Sequence, residues 1–371
     1  MNTLALLGDV SLALAALPML VALSNFGLIR RPGASRFLPA ISVLIPARNE
    51  AANIAAAVEC VLASTACTIE LLVLDDDSTD ATPQILACIH DPRLRVLSAP
   101  GLPGGWSGKQ HACSVLAREA RFPLMVFLDA DVRLAPDALC RMGGYMEAHP
   151  QLGLASGFPR QVTRSWSEWL LLPLIHLLLL GYRPQALDRD PRLVGFAAGC
   201  GQLFIARRDA YRRVGGHARI RASMHDGLTL PRAFRNAGIG TGLFDGTLLA
   251  SCRMYACFQD VWNGLGKNAT EGMATRRALP VWTVLLGGGH VLPFALLLTA
   301  PLVAERSVVW AACALSLGLR ALLAIRYRQD ARSVLASPVG VAMLLVLQWN
   351  ALVRAARGRP ATWRGRAYPM Q

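Results

Sequence analysis

From residue 40 onward, short apolar runs alternate with longer stretches whose apolar residues recur every three or four positions. "ISVLIPA" (41–47) is continuous enough for a strand buried on both faces, whereas "NEAANIAAAVECVLA" (49–63) has a helical period. The alternation continues with strand "IELLVLDDDS" (69–78) and helix "TDATPQILACI" (79–89), capped near Thr79 or Asp80. Strand "RLRVLSA" (93–99), helix "SGKQHACSVLAREA" (107–120) and strand "PLMVFLDADV" (123–132) follow. This β-α-β rhythm predicts an α/β fold built on a mostly parallel sheet. Open α/β sheets bind ligands at the carboxyl ends of their strands, so Asp75, Asp76, Asp129 and Asp131 are expected to line one crevice. In an extended chain Asp129 and Asp131 point to one face, where two like charges call for a positive partner.

The two ends of the chain have a different pattern. From Thr3 to Ile29 the only formal charge is Asp9, and these 27 residues exceed the roughly 20 that a helix needs to cross a bilayer. Residues 1–30 are therefore read as a transmembrane anchor. A cleaved signal peptide is the alternative, but no Lys or Arg precedes the run, which is also too long for a typical signal-peptide core. After residue 280 come apolar stretches at 281–303, 308–325 and 334–353, which predict a small membrane bundle over 281–353 and leave 354–371 as a basic tail. Gly287 to Gly289 are expected to loosen the first stretch, and Arg320 in the second must snorkel or face protein. Residues 40–280 form the expected catalytic domain. Inside it "WLLLPLIHLLLLGY" (169–182) is too short to span, so the segment 166–182 is either a core helix or one lying at the membrane interface.

Composition agrees with this division. Apolar residues make up 53% of the 371 and charged residues 17%, too apolar for a purely soluble protein. The formal net charge is +14, yet no basic stretch carries the interleaved aromatics of a stacking platform, so a membrane surface is expected as partner and nucleic acid is not. Arg30, Arg31 and Arg36 directly follow the anchor, which predicts an integral protein of a bacterial-type cell membrane with a cytoplasmic catalytic domain. Three full C-terminal crossings would put the basic tail on the other side, against the same rule. Nine cysteines without a C-x-x-C pair suggest neither a zinc site nor a disulfide framework, and the seven histidines include no H-E-x-x-H.

"PGGWSGKQ" (103–110) invites comparison with a phosphate loop, but Pro103 and Gln110 stand where that pattern needs Gly and Ser or Thr. What remains is a flexible loop, a helix start and Lys109, which together suit a diphosphate; the alternative is a Gly-rich turn with a solvated lysine. "SVLIPARNEAANI", "VLDDDSTDAT", "GWSGKQHAC" and "FLDADV" stand in the order and approximate spacing of family 2 glycosyltransferases, and residues 41–280 resemble that family. The resemblance implies a GT-A fold, a Rossmann-like cytoplasmic domain here joined to an N-terminal transmembrane helix and a C-terminal helical membrane bundle. It assigns Pro46, Asn49, Glu50, Asp75 and Asp76 to the nucleotide of the donor. Lys109 and Asp129 join them on the diphosphate side. Asp129 and Asp131 match the Asp-x-Asp motif that binds a divalent metal, Mg²⁺ or Mn²⁺, both of which prefer oxygen ligands. Asp77 stands where the family commonly has glycine and is left unassigned.

The same resemblance places the catalytic base at Asp226, in "MHDGLTLPRAFRNAG" (224–238), with His225 replacing an acid that often precedes it. A helix cap is the other reading of Asp226. Gly199, Gly201 and Gln202 resemble the acceptor-side loop, the glycines allowing close backbone approach. Processive members carry Gln-x-x-Arg-Trp; here Gln259 and Trp262 occur without the arginine, which points to transfer of a single sugar. The layout is similar to ceramide, carotenoid-acid and hopanoid-associated transferases. It implies an inverting enzyme that moves one sugar from a nucleotide-sugar, such as a UDP-sugar, to a membrane lipid hydroxyl or carboxyl. The alternatives are transfer to polyprenyl phosphate, which needs no base, and a catalytically silent membrane-tethered nucleotide-binding scaffold.

Overall fold

The computed structural model describes residues 3–187, 190, 192–299, 306–358, 361–363 and 366–368. The chain divides into two compact units, one of Ile29–Arg160 with Ala186–Met254, the other of Met1–Leu28, Gln161–Gln185 and Tyr255–Gln371. Residues 161–185 and 255–280, inside the expected 40–280 segment, thus group with the helices of the chain ends.

The first unit is an eight-stranded sheet with helices. Its strands are β1 (Ala40–Ala47), β2 (Thr68–Asp75), β3 (Leu94–Ser98), β4 (Leu124–Leu128), β5 (Val132–Leu134), β6 (Leu152–Gln161), β7 (Leu203–Arg207) and β8 (Gly240–Cys252). The spatial order is β3-β2-β1-β4-β7-β6-β8-β5. β1 pairs in parallel with β2 and β4, and β2 with β3, as the rhythm predicts. β7 runs antiparallel to β4 and β6, and β5 antiparallel to β8, so the sheet is mixed. The continuous apolar runs follow from burial on both faces. Val43, Ile45, Leu71, Val73 and Val126 enter one core, while Leu44, Leu72, Leu74, Met125 and Phe127 enter the other. Each such side chain contributes about 1.5–3 kcal/mol when fully buried.

Three local expectations are corrected. β4 stops at Leu128, and Asp129–Asp131 form a turn closed by Val132 N–H donating to Asp129 O at 3.0 Å, so strand alternation does not govern their direction. The helix expected from 49 starts at Ile54, because Asn49 takes a left-handed φ of 52°. The helix expected from 79 is Thr82–Ala87, where Asp80 accepts from the Thr82 N–H at 2.9 Å and the Ala51 N–H at 3.0 Å. The Asp80 carboxylate joins two loops there instead of starting a longer helix.

The second unit contains three helices long and apolar enough to cross a membrane, Thr3–Leu28, Ser307–Arg326 and Ser337–Ala356. A pair bent by 47°, Ala278–His290 with Leu292–Leu298, makes a fourth if it is one span. The bend follows a π-helical turn at Thr283–Gly287 and the three-glycine stretch. Within this unit Arg320 faces protein: it is fully buried and donates to Gln329 Oε1 at 3.2 Å and Ser333 Oγ at 3.3 Å. Residues 166–181 form a short apolar helical run whose Leu170, Leu171, Leu172, Leu174, Leu177 and Leu180 are buried. Asn25 fastens its end, donating to Leu180 O (2.8 Å) and Arg183 O (2.9 Å) and accepting from Gln185 N–H (2.7 Å). Of the expected tail, Ala361–Trp363 and Arg366–Tyr368 pair antiparallel; residues 359–360, 364–365 and 369–371 lie outside the described residues.

Candidate active site

The polar residues that end β1, β2 and β4 sit along the carboxyl edge of the parallel strands, because each strand stops where its apolar run stops. Pro46 is still inside β1, opposite Leu74 of β2. The loop after β1 is held to the loop after β2. Asn49 Oδ1 accepts from Thr79 N–H (2.8 Å), Asn49 N–H donates to Ser78 Oγ (2.9 Å), and Glu50 N–H donates to Thr82 Oγ1 (2.9 Å). Arg48, which sequence reasoning passed over, donates to the carbonyls of Asp76 and Asp77 and so fixes the course of the acidic turn. Asp75 ends β2 with a buried Oδ1 that lacks a hydrogen-bond partner, and Asp76 is buried. β1 lies between β2 and β4, so Asp75 and Asp129 stand about two strand spacings apart, roughly 10 Å.

Around Asp129 the contacts are direct. Lys109 is the second residue of the helix Gly108–Glu119, and its Nζ lies 2.7 Å from Asp129 Oδ1, 3.0 Å from Asp226 Oδ2 and 3.1 Å from Gly201 O. Asp226 opens the helix Asp226–Asn236 and accepts from its neighbour, Gly227 N–H, at 2.9 Å. The loop ahead of Lys109 and the segment ahead of Asp226 are joined: Ser107 N–H donates to Arg221 O (2.7 Å) and Gln110 Nε2 to Ser223 O (3.2 Å). Four residues distant in sequence, Lys109, Asp129, Gly201 and Asp226, thus meet at one point. Burial disfavours the charge on Lys109, but Asp129 and Asp226 overcome it and hold the ammonium well above the ordinary lysine range. For Asp226 burial acts against the anion and Lys109 outweighs it, keeping the carboxyl below its usual value.

Asp131 has a different environment. Burial first, then the negative charges of Asp129 and Glu50, push its carboxyl up to about 7. Its Oδ1 is buried without a hydrogen-bond partner, while the side chain also meets the Cys252 thiol. Arg133 holds the turn that carries both acids, donating to Ala130 O (2.8 Å), Val132 O (2.9 Å) and Asn53 O (3.0 Å). Its place directly behind "DADV" is the only sequence sign of that work. Among the described residues no three His, Cys, Asp or Glu side chains are arranged to hold a metal ion by themselves.

The acceptor-side expectations receive other neighbours. A Cβ on Gly199 would lie 2.6 Å from Phe204 Cε1, and one on Gly201 would overlap Asp226 Oδ1, so the close approaches are to this chain's own side chains. Gln202 is buried, with Nε2 donating to Cys252 Sγ at 2.8 Å. Trp262 belongs to the helical unit, on the helix Phe258–Lys267, 5.6 Å from the Phe258 ring, which stacks on Trp166 at 5.3 Å.

Residues 42–215 match the family described as glycosyl transferase family 2. The chain carries a glycosyl transferase family 2 domain. Lys109, Asp129, Asp131 and Gly201 lie inside the matched span and Asp226 just beyond it. A 4,4'-diaponeurosporenoate glycosyltransferase of Staphylococcus haemolyticus is 25% identical over 248 residues, 66% of this chain and 65% of that protein. A succinoglycan biosynthesis protein of Rhizobium meliloti is 35% identical over 111 residues, 30% of this chain and 31% of that protein. The chain therefore matches just under two thirds of one relative's length and about a third of the other's. A mannosyltransferase from Pyrobaculum calidifontis, solved with GDP-Man and Mn²⁺, aligns with 93% of this chain and 99% of its own at a TM-score of 0.50 and 19% identity. That likeness is one of fold. The family 2 domain has the GT-A-like mixed sheet with helices that its motifs imply.

Proposed function

We propose that this chain is a membrane-bound, inverting glycosyltransferase that moves one sugar from a nucleotide-sugar, such as a UDP-sugar, to a hydroxyl or carboxyl of a membrane lipid. The observation that carries the reading is the meeting of Asp129, Lys109 and Asp226 at the carboxyl edge of a family 2 sheet. Helices apolar enough to span a membrane, and a relative named for a carotenoid-acid substrate, support a lipid acceptor. The arginines after the first span favour a cytoplasmic domain, where a soluble donor is available.

In this reading the loops carrying Asn49, Glu50, Asp75 and Asp76, with Pro46 shaping the strand end, receive the nucleotide. Asp129 and Asp131 are the protein ligands of a divalent cation, Mg²⁺ or Mn²⁺. The fit rests on the donor set, two carboxylates of which one has a buried oxygen without a partner. With no third protein ligand among the described residues, the remaining positions suit water and donor phosphate. When bound, the cation supplies charge stabilisation for the departing nucleoside diphosphate.

Asp226 is the base: it takes the proton of the acceptor hydroxyl as that oxygen bonds to the anomeric carbon and the bond to the diphosphate breaks. The electron pair of the broken bond stays on the nucleoside diphosphate. Its lowered proton affinity keeps Asp226 ionised at neutral pH, the form a base requires. A carboxylate acceptor is already an anion and would not need it. Gly199, Gly201 and Gln202 support the acceptor side by positioning Asp226 and the adjoining loop. The test is transfer of label from a nucleotide-sugar panel into membrane lipid extract. Asp226→Asn is expected to lose about 10²–10⁴-fold in rate for a hydroxyl acceptor. Retained activity would remove Asp226 from this role, and no labelled lipid with any donor would end the transferase reading.

A further inference from the structure

We propose that Lys109 is a positioning residue that serves as the site's built-in counter-cation, holding Asp129 and Asp226 together and yielding Asp129 when a divalent cation enters. The inference rests on the proposed metal role of Asp129 and Asp131.

An ammonium has three protons to donate, and three groups receive them here: Asp129 (2.7 Å), Asp226 (3.0 Å) and Gly201 O (3.1 Å). The lysine is thus fully engaged inside the site and is not a solvated residue waiting for phosphate. Each partner is fixed independently. Lys109 rides on a helix whose first turn is tied to Arg221 and Ser223, Asp226 opens its own helix, and Gly201 leaves room for the Asp226 carboxylate. Asp129 is still 27% exposed, and Asp131 next to it keeps a spare oxygen. A cation bound by those two acids must compete with Lys109 for the oxygens of Asp129.

The exchange has a consequence for order of events. With Lys109 on both acids, one oxygen of Asp226 is occupied by the lysine and the other by Gly227 N–H. Release from Asp129 lets the ammonium turn to the donor diphosphate, the one new group of opposite charge, and loosens its hold on Asp226. The same residue would then offset part of the negative charge of Asp129 and Asp226 before a cation binds, and part of the donor's charge afterwards.

The test uses the full chain in detergent or nanodiscs, titrated with Mn²⁺ alone and followed by electron paramagnetic resonance of free Mn²⁺. Removing a competitor should tighten metal binding. Lys109→Met is expected to bind Mn²⁺ about tenfold more tightly than the wild type, the factor one partly buried ion pair controls. Lys109→Gln serves the same comparison where the methionine variant does not fold. A purely structural lysine would give the opposite direction, weaker binding. Unchanged or weaker binding in the lysine variants, with Mn²⁺ lost in Asp131→Asn, overturns this proposal and leaves the metal assignment standing. Mn²⁺ binding by Asp131→Asn equal to the wild type, or none by the wild type, overturns the metal assignment and the lysine proposal with it.

Discussion

Replacing Gly201 by alanine perturbs the site by one methyl group at a known place. The new Cβ would overlap Asp226 Oδ1 and lie 2.8 Å from Asp226 Cγ, so the carboxylate must retreat by more than the roughly 0.6 Å that would bring Cγ alone to the 3.4 Å of ordinary contact. Backbone leaves little choice of which partner gives way, because Gly201 O also receives Lys109 and the residue precedes β7. Any part of that retreat directed away from Lys109 lengthens its 3.0 Å contact with Asp226 Oδ2 toward the hydrogen-bond limit. A misplacement of order 1 Å at a reacting group costs about 10²-fold in rate, while overpacking costs about 1–3 kcal/mol in stability. The assay compares kcat for transfer to lipid extract, nucleotide affinity by calorimetry and the melting temperature. The expected pattern is a kcat lower by about 10²-fold with nucleotide affinity within about threefold, since the loops after β1 and β2 are untouched. A variant with wild-type kcat would refute the role given to Asp226, and one with equal losses in kcat and nucleotide binding would point to general collapse.

Other outcomes follow from single contacts. His217 is buried beside Tyr211, with its ring Nδ1 2.7 Å from the hydroxyl, and burial lowers its proton affinity to about 3. The unfolded chain therefore takes up a proton below about pH 6.5 that the folded one refuses, and stability should fall by up to about 1.4 kcal/mol per pH unit on acidification toward pH 4. Melting curves across that range should flatten in His217→Gln; an unchanged slope assigns the acid sensitivity elsewhere. Asn25→Leu strips the partners from Leu180 O, Arg183 O and Gln185 N–H, and should cost about 3 kcal/mol, read as a lower melting temperature in detergent. Arg133→Met unties the Asp129–Asp131 turn from Asn53, and Mn²⁺ affinity should drop about tenfold with little change in the melting temperature.

Strand identity was legible because burial on both faces leaves a continuous apolar run, as in Val43–Ile45 and Leu71–Leu74. The acids behind those runs were legible as strand ends, and the four motifs together carried the family. The three helices long and apolar enough to cross a membrane were legible for a similar reason, since each is a run of about 20 mostly apolar residues. Less was available where pairing depends on residues far apart. The other half of the sheet, β7, β6, β8 and β5, is ordered out of sequence although helices such as 166–181 and Asp226–Asn236 separate its strands, and that order is fixed only by packing. Segment 166–181, read from sequence as core or interface, groups with the helical unit and buries its leucines there, a placement that local composition does not record.

By itself the sequence determined which residues could carry charge chemistry and on which strand ends they fall, because those are properties of local composition and period. Only the tertiary structure decided that Asp129 and Asp131 part company. One is partly exposed against Lys109, 2.7 Å from its ammonium, and the other is raised to about 7 by burial first and then by the negative charges of Asp129 and Glu50. Their difference comes largely from burial and from neighbours distant in sequence, Lys109 for one and Glu50 and Cys252 for the other, and no spacing along the chain records the direction in which a turn aims a side chain.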